Sequence, residues 1–316
     1  MKSIKLDKSI NDIIAEIPSG WCFFTLKKGK EHLYCGYSGN LPHRLKMIWE
    51  KADEDKLYAE LRSEASTLHF MDHETAISAL IQYKIALQKT HPAFQQRIHT
   101  WGSYVYLGID ALRFPFVTIE SHTNDDWFYL GPFRSRFFLA DVMESISRIL
   151  KIPYCETDTY PCDKLDKDIC RGYCLSLDSE QSGIPQASLE KLVPLLKEAY
   201  VHPQNAIIDM IQKHRDAFFD NLEFEKADLL DDELDLLKRY RDWLNFLYIG
   251  KELAFDEPDL KVVNGQIIWC CIEDCEYHFP QSITLYRPNE ALALNLDLVD
   301  EARIIYEYYT KHKEVN

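Results

Sequence analysis

Gly20-Trp-Cys-Phe-Phe24 and Leu33-Tyr-Cys-Gly-Tyr-Ser-Gly-Asn-Leu-Pro-His-Arg-Leu45 are the stretches that decide the fold of the N-terminal region. Two apolar, aromatic-rich runs flank the polar turn Lys27-Lys-Gly-Lys-Glu31, a pattern that predicts a β-hairpin. The stretch from Gly36 to Arg44 is a glycine-punctuated turn leading into a helix that begins near Asn40 and presents Arg44.

Working outward, apolar spacing predicts a helical stretch around Lys56 to Thr67 and a short strand at Leu68-His-Phe-Met71. A helix from Glu74 to Lys89 follows, with Ala76, Leu80, Ile81 and Leu87 on its apolar face, and His91-Pro92 ends it. Ser103 to Ser121 is β-rich and precedes Trp127-Phe-Tyr-Leu-Gly-Pro-Phe133, after which a helix runs from about Phe137 to Leu150. Pro153 to about Gln186 is loop-like, and Leu189 to Tyr248 reads as helical throughout. Lys261 to Ile272 carries an Asn-Gly turn between apolar runs, a hairpin signal, and a final helix spans about Leu298 to His312.

The chain of 316 residues is long enough for two or three small domains with real cores. Its 46% hydrophobic and 28% charged residues are those of an ordinary globular protein, and no run of about 18 apolar residues exists to span a membrane. Met1-Lys-Ser-Ile-Lys-Leu-Asp-Lys8 has no apolar signal region behind it, so a cytoplasmic location is expected. There, nine cysteines are reduced thiols or metal ligands. A net charge of −15 argues against broad attraction to nucleic acid. Lys27, Lys28, Lys30, Arg44 and Lys46 form either a local basic surface or simply a solvated turn.

Cys155, Cys162, Cys170 and Cys174 lie in one segment of little hydrophobic content, which suggests a metal holding it folded. Thiolates suit zinc or an iron–sulfur cluster, and spacing alone leaves both open. Cys270, Cys271, Cys275 and His278 form a second group. Cys271-x₃-Cys275-x₂-His278 has zinc-like spacing, but adjacent Cys270 and Cys271 read better as opposite faces of a strand.

On Gly20, Tyr34, Gly36, Asn40, Leu41, Arg44 and Leu45, the N-terminal region resembles the GIY-YIG nuclease domain of the UvrC family and its shorter relative Cho. The resemblance implies a tyrosine from each strand, a lysine after the second glycine, an arginine on the next helix, a metal-binding glutamate on a later helix and an asparagine beyond it. Tyr34 and Arg44 keep the family's catalytic positions. Cys22 stands at the first tyrosine and Tyr37 at the lysine. In Ser78-Ala-Leu-Ile-Gln-Tyr83 and His91-Pro-Ala-Phe-Gln95 the glutamate becomes Tyr83 and the asparagine Gln95.

A hard Mg²⁺ ion needs oxygen ligands, usually including a carboxylate, and a neutral tyrosine supplies no such charge. Cys22 acts as a base only with a depressed thiol pKa, and Glu74 replaces the carboxylate only if its helix shifts. A dead or crippled site is the expectation. Tyr34 and Arg44 then either brace the hairpin against its helix or hold a phosphate without cleaving it.

The resemblance covers roughly residues 15 to 245 and extends to the cysteines. Leu130-Gly-Pro-Phe133, Cys155, Pro161-Cys162, Cys170 and Cys174 keep the UvrC order, which implies a [4Fe–4S] cluster on those four cysteines. Leu222-Glu-Phe-Glu-Lys-Ala-Asp-Leu-Leu-Asp-Asp-Glu-Leu234 looks like the UVR motif shared by UvrB and UvrC. Between Asp220 and Asp235 eight acidic residues face one basic residue, Lys226. Such a helix pair repels DNA and suits a protein partner, and the resemblance implies docking on a UvrB-like protein through Leu222 and Phe224. Ile207, Ile208, Ile211, Phe218, Phe219 and Leu222 form the expected apolar face.

The expected architecture is mixed α/β (α+β). It comprises a GIY-YIG-like domain (1–100), a middle region with the cysteine cluster (101–186), a UVR-like helical segment (187–248) and a C-terminal β-hairpin plus helix (249–316). The expected function is a DNA-repair-associated UvrC-like protein that has largely lost nuclease chemistry and works by binding. The alternatives are a Cho-like metal-dependent endonuclease with an altered site, and a UVR-module adaptor with no nucleic-acid role.

Overall fold

The computed structural model describes residues 1–95, 97–98, 104–110, 115–124, 127–152, 167, 169–172, 186–282, 290–294 and 296–313. It is a mixed α/β protein that groups into two compact units. Unit 1 comprises Met1–Gly102, Glu252–Ser282 and Asp300–Asn316, and unit 2 comprises Ser103–Lys251 and Ile283–Val299. No described helix is long and apolar enough to cross a membrane.

In unit 1, β1 (Lys2–Lys5), β2 (Trp21–Lys28), β3 (Glu31–Ser38) and β4 (Thr67–His73) form an antiparallel sheet in the order β1-β4-β2-β3. The expected hairpin is β2–β3, and its strands run into the anticipated lysine turn until only Gly29 and Lys30 remain outside them. Gly29 takes φ +61°, the left-handed conformation that glycine adopts without steric cost. Gly36 pairs with Phe24, whose ring lies 2.7 Å from where a Cβ would stand, so no larger residue fits there unless the ring moves.

Alternation along these strands divides the sheet into two apolar faces. One carries Cys22, Phe24, Leu26, Tyr34, Leu68 and Phe70 against helices α1 (Ile10–Ala15), α2 (Leu41–Lys51) and α3 (Lys56–Glu64). Asn40 caps α2, its side chain accepting from the His43 N–H at 3.1 Å. The opposite face, including Phe23 and Cys35, packs on Ala86 of α4 (Ala76–Thr90). Each fully buried leucine or phenylalanine here contributes about 1.5–3 kcal/mol.

Two expected boundaries move. Helix α3 ends at Glu64 instead of Thr67, because Thr67 already pairs with Lys27 and Lys5 in the sheet. Helix α4 begins at Ala76 instead of Glu74, because the Thr75 hydroxyl accepts from the Ser78 N–H and caps it.

The C-terminal part of unit 1 is richer than a hairpin plus helix. Strands β8 (Phe255–Glu257), β9 (Leu260–Val263), β10 (Gln266–Ile272) and β11 (Cys275–His278) form a second antiparallel sheet. The expected Asn-Gly turn joins β9 to β10, with Asn264 at φ +51° and Gly265 at φ +69°, as a type I′ turn requires. Helix α9 (Val299–Lys313) follows, and all but its first residue belongs to this unit.

Unit 2 holds β5 (Val105–Ile109), β6 (Val117–Glu120), β7 (Phe128–Phe133) and β12 (Glu290–Ala293), with β12 parallel to β7 and the other pairs antiparallel. Its helices are α5 (Arg136–Leu150), α6 (Gln186–Val201), α7 (Asp209–Asp220) and α8 (Phe224–Gly250). The continuous helical stretch expected after Leu189 is thus interrupted, and the short segment Gln204–Ile208 is a π-helix. Tyr240 of α8 stacks on Phe133 with centroids 5.7 Å apart, and the Trp243 Nε1–H donates to the Pro132 carbonyl at 3.0 Å. These contacts anchor the C-terminal half of α8 in the unit 2 core.

Candidate functional site: a nuclease-like site without a carboxylate

Tyr34 and Arg44 meet across the β3–α2 junction, where the Arg44 guanidinium faces the Tyr34 hydroxyl closely enough for its charge to act on it. Tyr34 is wholly buried, and burial pushes its pKa up while Arg44 opposes the shift. Tyr58 of α3 also faces Arg44, and burial raises its pKa in the same way. Nothing in the sequence pattern singled out Tyr58. It reaches the site because α2 and α3 pack side by side.

On the other side of the strand, the positions of the expected lysine, glutamate and asparagine come together as Tyr37, Tyr83 and Gln95. The Tyr37 and Tyr83 rings meet edge to face with centroids 5.1 Å apart. The Gln95 Nε2–H donates to the Tyr83 hydroxyl at 3.0 Å, while its Oε1 accepts from the Cys35 N–H at 3.0 Å. Gln95 therefore ties Tyr83 to the edge strand β3. The Phe94 N–H donates to the Leu33 carbonyl at 2.8 Å on the same edge. Burial, with lesser contributions from Tyr34 and Cys35, raises the Tyr83 pKa well above that of a free tyrosine.

Cys22, at the first tyrosine position, is buried and its thiol donates to the Ser38 carbonyl at 3.7 Å. Burial, reinforced by the Asp72 charge, pushes its pKa up to about 12. That is the opposite of what a thiolate base needs. Glu74 is exposed and precedes α4, so about 10 Å of helix separates its end of α4 from Tyr83.

These residues do not fit a divalent cation. The groups gathered at the site are four phenols, a thiol, an amide and a guanidinium, whereas a hard cation is usually held by at least one carboxylate. The nearest carboxylates, Asp72 beside Cys22 and Glu301 beside Tyr83, are paired with Lys2 and Lys84. Among the described residues no group of three or more His, Cys, Asp or Glu side chains is placed to hold a metal. At neutral pH Tyr34, Tyr83 and Cys22 are all held protonated, so none of them activates water.

The local basic surface is partly neutralised. Lys28 lies 3.2 Å from Glu64 and Lys46 lies 3.7 Å from Glu50, both as exposed pairs of small energetic weight.

Of the four clustered cysteines, Cys155, Cys162 and Cys174 lie outside the described residues. Cys170 is half-buried, and its Sγ accepts from the Gly172 N–H at 3.1 Å. In the second cysteine group, Cys271 pairs across the hairpin with Glu276, and Ile272 pairs with Cys275. Cys271 and Cys275 therefore point to opposite faces, and the strand reading holds. Cys270 is buried, with its thiol pushed up to about 11 by desolvation.

The acidic segment forms a helical hairpin, α7–α8. The apolar face expected there divides, with Ile207, Ile208 and Ile211 buried while Phe219, Leu222 and Phe224 stay exposed. Leu222 forms the turn in the left-handed region at φ +62° and is 74% exposed. Phe224 is 48% exposed, its ring 5.3 Å from that of Phe219.

No family model matches the chain. It is 23% identical over 298 residues to UvrABC system protein C of Fervidobacterium nodosum, covering 87% of this chain and 49% of that protein. It is 22% identical over 228 residues to the protein of the same name from Lactiplantibacillus plantarum, covering 72% of this chain and 36% of that one. The chain thus spans about half or less of the length of these curated relatives. A solved structure of the GIY-YIG N-terminal endonuclease domain of UvrC from Thermotoga maritima, a point mutant bound to its catalytic divalent cation, also matches. That match covers 27% of this chain and 93% of the domain, at 20% identity and a TM-score of 0.25. Along most of its length the chain is similar to UvrABC system protein C, and the UvrC-like resemblance carried by its N-terminal motifs stands.

Proposed function

We propose that this chain is a UvrC-like DNA-repair protein that has lost GIY-YIG nuclease chemistry and works by binding. One observation carries the reading: Tyr83, at the position of the metal-binding glutamate, is hydrogen-bonded to Gln95 and packed on Tyr37. A phosphodiester hydrolase needs charge stabilisation and an activated water, and this arrangement supplies neither. The retained Arg44–Tyr34 pair braces the hairpin against α2.

The partner in this reading is a UvrB-like protein, engaged by the tip of α7–α8. The support is an exposed apolar set, Phe219, Leu222, Phe224 and Leu229, within a strongly acidic run. That combination suits a second helical hairpin with an apolar groove and a basic rim. In the same reading Cys155, Cys162, Cys170 and Cys174 hold a [4Fe–4S] cluster, supported by their UvrC-like order.

The test is incubation of purified protein with damaged duplex DNA and Mg²⁺ or Mn²⁺, with and without UvrB. No nicking is expected in any arm. Robust metal-dependent nicking abolished by Arg44→Ala establishes the Cho-like endonuclease instead. The net charge of −15 and the pairing of Lys28 and Lys46 favour one second reading, an adaptor without nucleic-acid contact. Salt-dependent DNA binding rejects that reading, and its absence at low salt favours it.

A further inference from the structure

Helix α4 is apolar on two sides. One packs on the hairpin sheet. The other carries Ile77, Leu80 and Ile85, which share a cluster with Leu260, Val262, Ile267 and Cys270 of the C-terminal sheet and with Ile304 and Ile305 of α9. Tyr37 and Tyr83 pack against that same cluster.

Polar contacts fasten the joint. Lys84 lies 2.6 Å from Glu301 with both side chains nearly buried, at 14% and 12% exposure. The same Glu301 oxygen accepts from the Ile267 N–H at 2.8 Å. The Gln88 Nε2–H donates to the His278 carbonyl at 2.6 Å. The Lys84 and Lys89 ammonium groups sit over the Phe279 and Tyr277 rings, at 5.1 and 5.0 Å.

We propose that the C-terminal sheet β8–β11 together with α9 is a built-in cover over the Tyr37–Tyr83 face, latched by Lys84 and Glu301, and that it denies this face to divalent cations and nucleic-acid phosphates even when a carboxylate stands at position 83. The inference rests on the nuclease-deficient reading and deepens it. Tyr37 and Tyr83 occupy the positions of a cationic and an anionic family residue, and here both belong to an apolar joint. A Mg²⁺ ion keeps several waters, and a phosphate oxygen is costly to strip of hydration. Tyr37 and Tyr83 keep only part of their surface exposed, and the closed joint leaves no room beside them for a hydrated ion or phosphate to settle. The two tyrosines and the C-terminal module thus form one device, in which the former chemical face of α4 has become a contact surface.

The test uses the full chain carrying Tyr83→Glu, alone and combined with Glu301→Ala. Mn²⁺ binding is read by loss of the free-ion paramagnetic resonance signal, and amide hydrogen exchange is followed in β10, α4 and α9. Tyr83→Glu alone should bind Mn²⁺ no better than the natural chain while α9 stays protected. Adding Glu301→Ala should raise Mn²⁺ affinity by about tenfold or more as β10 and α9 lose protection, because a site open in a small fraction of molecules binds weaker by that fraction. Should Tyr83→Glu loosen the joint by itself, binding must appear together with lost α9 protection. Mn²⁺ binding with α9 fully protected overturns the proposal, and so does absence of binding once α9 is exposed. Glu301→Gln, which keeps an acceptor for the Ile267 N–H, is the milder opening variant should Glu301→Ala fail to fold. Unchanged exchange in both Glu301 variants overturns the latch. Nicking by the natural chain would instead defeat the nuclease-deficient reading, so the two failures are told apart.

Discussion

Lys84 and Glu301, 217 positions apart in the chain, form a 2.6 Å ion pair with both side chains nearly buried, and the Ile267 N–H shares the same carboxylate oxygen. Removing one partner leaves the other charge without compensation. Lys84→Ala should therefore destabilise unit 1 by about 3 kcal/mol, in the range of a broken buried pair. Glu301→Gln should cost less than Glu301→Ala, because the amide oxygen still accepts from Ile267. Urea titration followed by far-UV dichroism measures both, and a loss below the exposed-pair range of about 1 kcal/mol contradicts the burial argument.

Arg44 faces the hydroxyl of Tyr34, a side chain only 1% exposed. Arg44→Ala should lower stability by about 1–3 kcal/mol by leaving that buried hydroxyl without its polar neighbour. Tyr34→Phe, which removes the hydroxyl as well, should restore part of that loss in the double variant. A double-mutant cycle on thermal midpoints checks the pair, and additive losses would show that the two side chains do not interact.

Phe224 presents half its ring to solvent and touches Phe219 edge to face. Phe224→Ala should cost the fold about 1 kcal/mol or less, the weight of a single aromatic pair. The same change should markedly weaken capture of the chain by immobilised UvrB. A large drop in unfolding midpoint would show that the ring packs inside this chain, and the partner assignment would lose its support.

Alkaline pH should weaken unit 1. Cys22 is raised from an ordinary thiol value to about 12, and Tyr34 and Tyr83 shift in the same direction. The folded state therefore holds these protons more tightly than the unfolded chain. Their contribution is fully present below about pH 9 and is lost as pH rises towards 12. Thermal midpoints should fall across that window, with a shallower slope in Cys22→Ala. At neutral pH iodoacetamide should alkylate exposed Cys275 well before buried Cys22, and mass mapping reads the order.

Anaerobic purification should give a brown protein with about four irons per chain, as a [4Fe–4S] centre requires. Replacing Cys170 by Ser should lower the iron content and the broad visible absorption together. Stoichiometric zinc without iron under the same conditions would reject the cluster.

The hairpin β2–β3 was legible because alternation, a glycine at the turn and aromatic flanks are all local. The helix start near Asn40 and the Asn264-Gly265 turn were legible for the same reason. Helix boundaries slipped where a neighbour outvoted local preference, as at Thr67, which β1 and β2 draw into the sheet. Helical spacing puts Ile207, Ile208, Ile211, Phe218, Phe219 and Leu222 on one apolar face. It divides because Ile207, Ile208 and Ile211 find a core while Phe219 and Leu222 meet none.

Residue identity alone sets which side chains stand at the nuclease-like positions, and hence that no carboxylate stands at position 83. Chemistry follows residue identity, and a phenol or an amide carries no charge for a cation wherever it is placed. What Tyr37 and Tyr83 do instead emerges only once the chain has folded. Their packing beside Ile267 and Ile305, and the meeting of Lys84 with Glu301, depend on surfaces that fit after the chain has returned to α4 from more than 160 residues away. No short-range period records such a fit, because it arises from the shape and desolvation of two faces and not from the order of residues along either one.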